Sequence, residues 1–111
     1  MRKPVALAHA SRLINHGPTV LVSSAHGERR NLMAAAWSMP VEFTPPRIAV
    51  VIDKSTFTRE LVAASGAFAL NIPCRAQADL AFTVGSTSGR ESQAHGTDKF
   101  TEYGIDTFDG P

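Results

Sequence analysis

Apolar residues recur at two periods along this chain, and the change of period marks the elements. Between residues 4 and 16, Leu7, Ala10, Leu13 and Ile14 fall at three- and four-residue spacing, which predicts a short helix stopped by Gly17-Pro18. Thr19 to Ser23 is β-branched and apolar and predicts a strand, followed by a polar turn over Ala25–Arg30. Val41 to Phe43 reads as a short strand, and Thr44-Pro45-Pro46 as a stiff connector. Arg47 to Ile52 is an unbroken apolar run, the pattern of a strand buried on both faces. A helix is predicted from Phe57 to Ser65, with Phe57, Leu61 and Ala64 on one face and Gly66 as its stop. Phe68 to Ile72 is the next strand, closed by Pro73, and Ala76 to Val84 a second short helix. Gly85 to Asp98 is polar and rich in Gly and Ser and predicts an exposed loop. Phe100, Tyr103 and Ile105 then return to the core.

The segment Asn31-Leu32-Met33-Ala34-Ala35-Ala36-Trp37 reads as helix by propensity, with Asn31 available as an N-cap. No repeat and no linker divides the chain, so residues 1–111 are expected to form a single domain.

Composition narrows the function classes. The chain has 111 residues, 43% of them apolar, and a net charge of +1, with no basic stripe to suit nucleic acid or an anionic membrane. No apolar run approaches the roughly 20 residues that span a bilayer. Met1-Arg2-Lys3-Pro4 is basic, but the apolar stretch after it is too short for a secretory signal, so the expected location is the cytoplasm. Cys74 is the only cysteine, which excludes an internal disulfide and a thiolate-rich metal site, and its place after Pro73 suggests an inert, at least half-buried thiol. His9, His16, His26 and His95 form no ligand-spaced pair, and His26 and His95 read as surface residues. No serine stands in a G-x-S-x-G context, so acyl transfer has no support, and no residue is singled out as catalytic.

Two places carry candidate chemistry. Met33-Ala34-Ala35-Ala36 is a run of mostly small side chains ending in the only tryptophan, Trp37. A strand of that kind exposes its main chain to a flat ring, with Trp37 as a cover; tight packing in an ordinary core is the competing explanation. Asp53-Lys54-Ser55-Thr56-Phe57-Thr58 opens the predicted helix. Lys54 offers a charge, Ser55, Thr56 and Thr58 offer hydroxyls, and the helix start offers unpaired N–H groups, together suited to a phosphate. Plain capping by Ser55 or Thr56 explains the same residues, with Asp53 positioning the loop backbone. Arg90, in Ser88-Gly89-Arg90, either meets a phosphate or is a solvated loop arginine. Asn31 either hydrogen-bonds the ring or fixes the turn before it.

The order of P-x-x-L-V-S-S, N-x-M-A-A-A-W, P-P-x-I-A-V-V-I, S-T-F-T-R-E-L, S-G-A-F-A-L-N-I-P and S-G-R-E resembles the flavin reductase-like family, and its flavoredoxin branch in particular, from about Pro18 to Ile105. The resemblance implies a mainly β fold, an FMN-binding split β-barrel with short helices, in which residues 32–38 are strand despite their propensity. It implies FMN rather than FAD as cofactor. Asn31, Met33, Ala34, Ala35, Ala36 and Trp37 are then expected at the ring, and Lys54, Ser55, Thr56, Thr58 and Arg90 at the phosphate. The implied activity is electron transfer from NAD(P)H through flavin to an acceptor, in a homodimer. The alternatives are an FMN electron carrier without its own NAD(P)H site and a non-enzymatic binding or assembly module. Domains of that family continue beyond a point such as Asp109-Gly110-Pro111, so the barrel is expected to lack its last strands.

Overall fold

Strand β1, Val20–His26, lies at the centre of the fold because its residues are apolar toward both faces of a sheet. Val20 and Val22 pack with Ile14 and Ala35 on one face. Leu21 packs with Leu32, Ala81, Val84 and Phe100 on the other, as the two-residue period of a strand requires. The computed structural model describes residues 3–109; the basic start at Met1-Arg2 and the end at Gly110-Pro111 lie outside the described residues.

β1 pairs antiparallel with β2 (Arg29–Ala35), and the register runs unbroken from Val20 opposite Ala35 to His26 opposite Arg29. This pairing overrides the helical propensity of Asn31–Ala35, because each small or apolar residue of β2 gains a cross-strand partner. The expected polar turn shrinks to Gly27-Glu28, with Gly27 at φ 62 opening a two-residue hairpin loop. Ala36 and Trp37 fall in a break, after which β3 (Ser38–Phe43) pairs with β4 (Pro46–Val50) in a separate two-stranded sheet.

The expectation of double-sided burial fails at β4. Val50 packs against the Ile14 cluster, but Arg47, Ile48 and Ala49 are exposed. Beside them Trp37, Met39, Val41 and Phe43 are exposed too. β4 pairs only with β3, and Arg47, Ile48 and Ala49 are left uncovered among the described residues, so here an apolar run does not signal a central strand.

Helix α1 (Phe57–Ser65) matches its sequence signals. The Thr56 hydroxyl accepts the Arg59 N–H at its start, and Gly66 stops it at φ 72, a left-handed conformation that costs glycine little. Phe57, Thr58 and Leu61 are its buried face, whereas Ala64, expected beside Phe57 and Leu61, is exposed. Strand β5 (Ala69–Asn71) adds to the other side of β1, giving the order β2-β1-β5. The first predicted helix is a 3-10 helix over Leu7–Leu13, and a 3-10 turn at Arg75–Gln77 leads into α2 (Ala78–Ser86). Cys74 is exposed, not half-buried, because Pro73-Cys74 leaves the sheet and caps that surface turn.

Gly85–Asp98 is not an exposed loop. It contains α3 (Gly89–Ala94), with Gly89 and Ser92 buried, and leads into α4 (Lys99–Glu102), where Phe100 enters the core. Local caps explain the difference: Ser88 Oγ accepts the Arg90 N–H, and Asp98 accepts the Thr101 N–H at 2.9 Å. Helix therefore reaches 36% of the described residues against 26% strand. The mainly β expectation is corrected to a mixed fold, and the two sheets do not close into a barrel among the described residues. No helix among the described residues is long and apolar enough to cross a membrane.

Candidate functional site

A cavity of about 410 Å³ runs along β2, the outer strand of the three-stranded sheet. Three segments and one side chain wall it. β2 supplies Asn31, Met33 and Ala34; the start of α1 supplies Ser55 to Thr58; the end of α2 and the start of α3 supply Val84 to Arg90; and Lys99 enters from α4.

Lys99 is 2% exposed, a buried ammonium with no carboxylate bonded to it. Its Nζ donates to Leu32 O at 2.8 Å and to Val84 O at 2.7 Å. Burial lowers its pKa from 10.5 to about 8, with the charge of Glu102 opposing the shift. The bond also fixes direction along β2. The Leu32 carbonyl points away from β1, and by the strand's two-residue period the main-chain groups of Ala34 point the same way, along the cavity edge.

Asn31 is 3% exposed. Its Nδ2 donates to Thr58 Oγ1 at 2.9 Å, while its Oδ1 is buried without a partner. A buried amide oxygen left in that state costs about 1–3 kcal/mol unless another molecule donates to it. Thus Asn31 ties β2 to α1 and does not fix the turn before it.

The loop ahead of α1 uses its own hydroxyls. Asp53 Oδ1 accepts from Ser55 N at 2.7 Å and from Ser55 Oγ at 2.6 Å, and Thr56 Oγ1 donates to Asp53 O at 2.8 Å. The Ser55 hydroxyl, followed by its N–H, holds the Asp53 carboxyl below the usual range. The hydroxyl hydrogens of Ser55 and Thr56 are thereby engaged inside the loop. The N–H groups of Phe57 and Thr58, in the first turn of α1, have no acceptor within the helix. Arg90 bridges the cavity rim: it donates to Ser55 O and, at 3.2 Å, to Glu60. Glu60 is shared with Arg29 at 3.0 Å, and these two partners, Arg29 foremost, keep its carboxyl below the usual range.

Of the residues singled out in the sequence, the cavity brings together Asn31, Met33, Ala34, Ser55, Thr56, Thr58 and Arg90. Ala35, Ala36, Trp37 and Lys54 lie outside its lining. Ala35 turns into the core on the opposite face from Ala34. Ala36 and Trp37 are exposed in the break after β2, and Lys54 is exposed in the loop. Sequence reasoning missed Lys99 and the Val84–Gly89 wall. A lysine beside a core aromatic gives no sign of burial, and the polar composition of 85–98 hid both the Ser88 and Asp98 caps. No group of His, Cys, Asp or Glu suited to a metal ion is found among the described residues.

A family model described as a flavin reductase like domain matches residues 11–110. The uncharacterized protein YddH of Escherichia coli K12 is 56% identical over 110 residues, covering 97% of this chain and 56% of that protein. An FMN-binding domain of a flavin reductases-like enzyme from Shewanella baltica OS155 superposes with a TM-score of 0.85 at 43% identity, covering 96% of this chain and 54% of that one. Flavoredoxin of Desulfovibrio vulgaris (Miyazaki F) gives a TM-score of 0.70 at 37% identity, covering 79% and 46%. This chain thus spans about half the length of each of these three proteins.

Proposed function

The chain belongs to the flavin reductase like domain family, and from that premise we propose that it binds FMN in the cavity along β2 and passes electrons through the bound flavin. One observation carries the reading. A single cavity joins the open main-chain edge of β2 at Ala34 to the first turn of α1 and to Arg90. Its volume, about 410 Å³, is in the range of small-cofactor sites. The residues present fit the group: the orphaned Asn31 Oδ1 needs a donor, and a flavin ring and its ribityl chain both carry donors.

In this proposal the Ala34 main chain, Asn31 and Lys99 hold the ring. The start of α1, with Arg90, holds the phosphate. Bound flavin supplies reversible uptake and release of electrons. The protein's share is to orient the ring, keep a buried positive charge beside it and exclude water from one side. No side chain is assigned as acid or base. Trp37 and Lys54 are proposed at the periphery, as a cover for the ring and a long-range charge.

FMN is proposed over FAD because the Shewanella neighbour is described as an FMN-binding domain. NAD(P)H is the proposed donor in a reductase form. The similarity to a flavoredoxin favours a second reading, an FMN carrier without its own NAD(P)H site. A homodimer in the cytoplasm, with no nucleic-acid or membrane partner, completes the proposal. Adding NADH and NADPH in turn to the flavin-loaded chain and following the flavin absorbance separates the two forms. Bleaching with either nucleotide supports the reductase; no bleaching with either leaves the carrier.

A further inference from the structure

Two cavity residues are glycines without a conformational reason to be. Gly85 and Gly89 both lie in helices, and neither has a positive φ. Helix propensity alone favours alanine at such positions. Space supplies the reason. A Cβ on Gly85 would stand 3.1 Å from the Cβ of Ala34. A Cβ on Gly89 would overlap the amide of Asn31 and come within 2.7 Å of the Phe57 ring. None of these neighbours yields easily. Ala34 is fixed by its strand, Asn31 is buried and tied to Thr58, and Phe57 is 4% exposed. The same segment of β2 holds Asn31 Oδ1, which is buried without a hydrogen-bond partner and lies against Gly89.

We propose that Gly85 and Gly89 are positioning residues for the flavin cavity. The hydrogen that each carries in place of a methyl lets the end of α2 and the start of α3 rest directly on Ala34 and Asn31 of β2. That approach sets the width of the cleft that admits the ring. This rests on the flavin reading above. It also explains the small side chain at Ala34, which faces Gly85, by a contact and not by composition.

The test is a swap of one methyl across the seam. Gly85→Ala is expected to weaken FMN binding by about tenfold or more, the scale of a methylene forced into a packed contact. Gly89→Ala is expected to weaken it further. The double variant Ala34→Gly with Gly85→Ala returns the methyl to the other side and is expected to recover most of the affinity. Dissociation constants come from quenching of FMN fluorescence, and thermal melts followed by circular dichroism report folding. If wild type binds FMN and Gly85→Ala binds it equally well, the seam is overturned and the flavin reading stands. If the double variant binds no better than Gly85→Ala alone, the seam is likewise overturned. A folded wild-type chain that takes up no FMN overturns the flavin reading. The melts then judge the contact: Gly85→Ala melting above wild type overturns it, and melting below supports the close approach.

Discussion

The ammonium of Lys99 donates to the carbonyl oxygen of Val84 at 2.7 Å, which pins α4 to the last turn of α2. The same Nζ holds Leu32 O, so one buried cation ties two helices to the edge of β2. Replacing it with methionine keeps the volume but leaves two carbonyls without their donor. Lys99→Met is expected to lower unfolding stability by about 2–4 kcal/mol in urea titrations. The pH dependence has a definite sign. The folded-state pKa is about 8 against 10.5 for the free group, so the unfolded chain binds more protons between those values. The Lys99 contribution to stability therefore rises with pH across that window and is flat below it. The stability difference between wild type and Lys99→Met should widen from about pH 8 upward. A constant difference would mean that Lys99 titrates as an ordinary lysine.

Thr58 is fully buried and accepts the Asn31 Nδ2–H at 2.9 Å. Thr58→Val preserves shape and removes the acceptor, leaving a buried amide N–H unpaired. The expected cost is about 1–3 kcal/mol. FMN affinity should fall as well, because Asn31 loses the bond that fixes its amide in the cavity wall. An unchanged urea midpoint together with unchanged affinity would remove Asn31 from the site.

Arg90 shares Glu60 with Arg29, so part of its charge is already answered. Glu60→Gln releases it. That variant is expected to bind FMN more tightly with little change in melting temperature, since exposed ion pairs contribute little to stability. Arg90→Ala is expected to bind FMN more weakly. Riboflavin, which lacks the phosphate, should respond to neither substitution. If riboflavin and FMN shift together, Arg90 acts on the shape of the cavity and not on the phosphate.

Local signals were legible where a single residue decides the backbone. Thr56 and Gly66 bracket α1, and the β-branched run at Val20–Val22 marks the central strand. They failed where partners decide. Asn31–Ala35 has helical propensity and is a strand because β1 lies beside it; only the family resemblance anticipated that. The run after Pro46 promised a central strand, but Ile48 and Ala49 have no covering layer. Half of the cavity was legible as β2 and the α1 loop. The other half was not, because Lys99 reaches it from a four-residue helix and Gly85 and Gly89 reveal their purpose only against Ala34 and Asn31.

In the proposed complex a flavin lies against β2 with its phosphate at the start of α1. Titration of FMN into the purified wild-type chain, followed by flavin fluorescence and by emission from the lone Trp37, tests it most directly. Saturable quenching at one FMN per chain is expected, with riboflavin binding more weakly. Unquenched fluorescence over the whole titration, from a chain that circular dichroism shows to be folded, would contradict it.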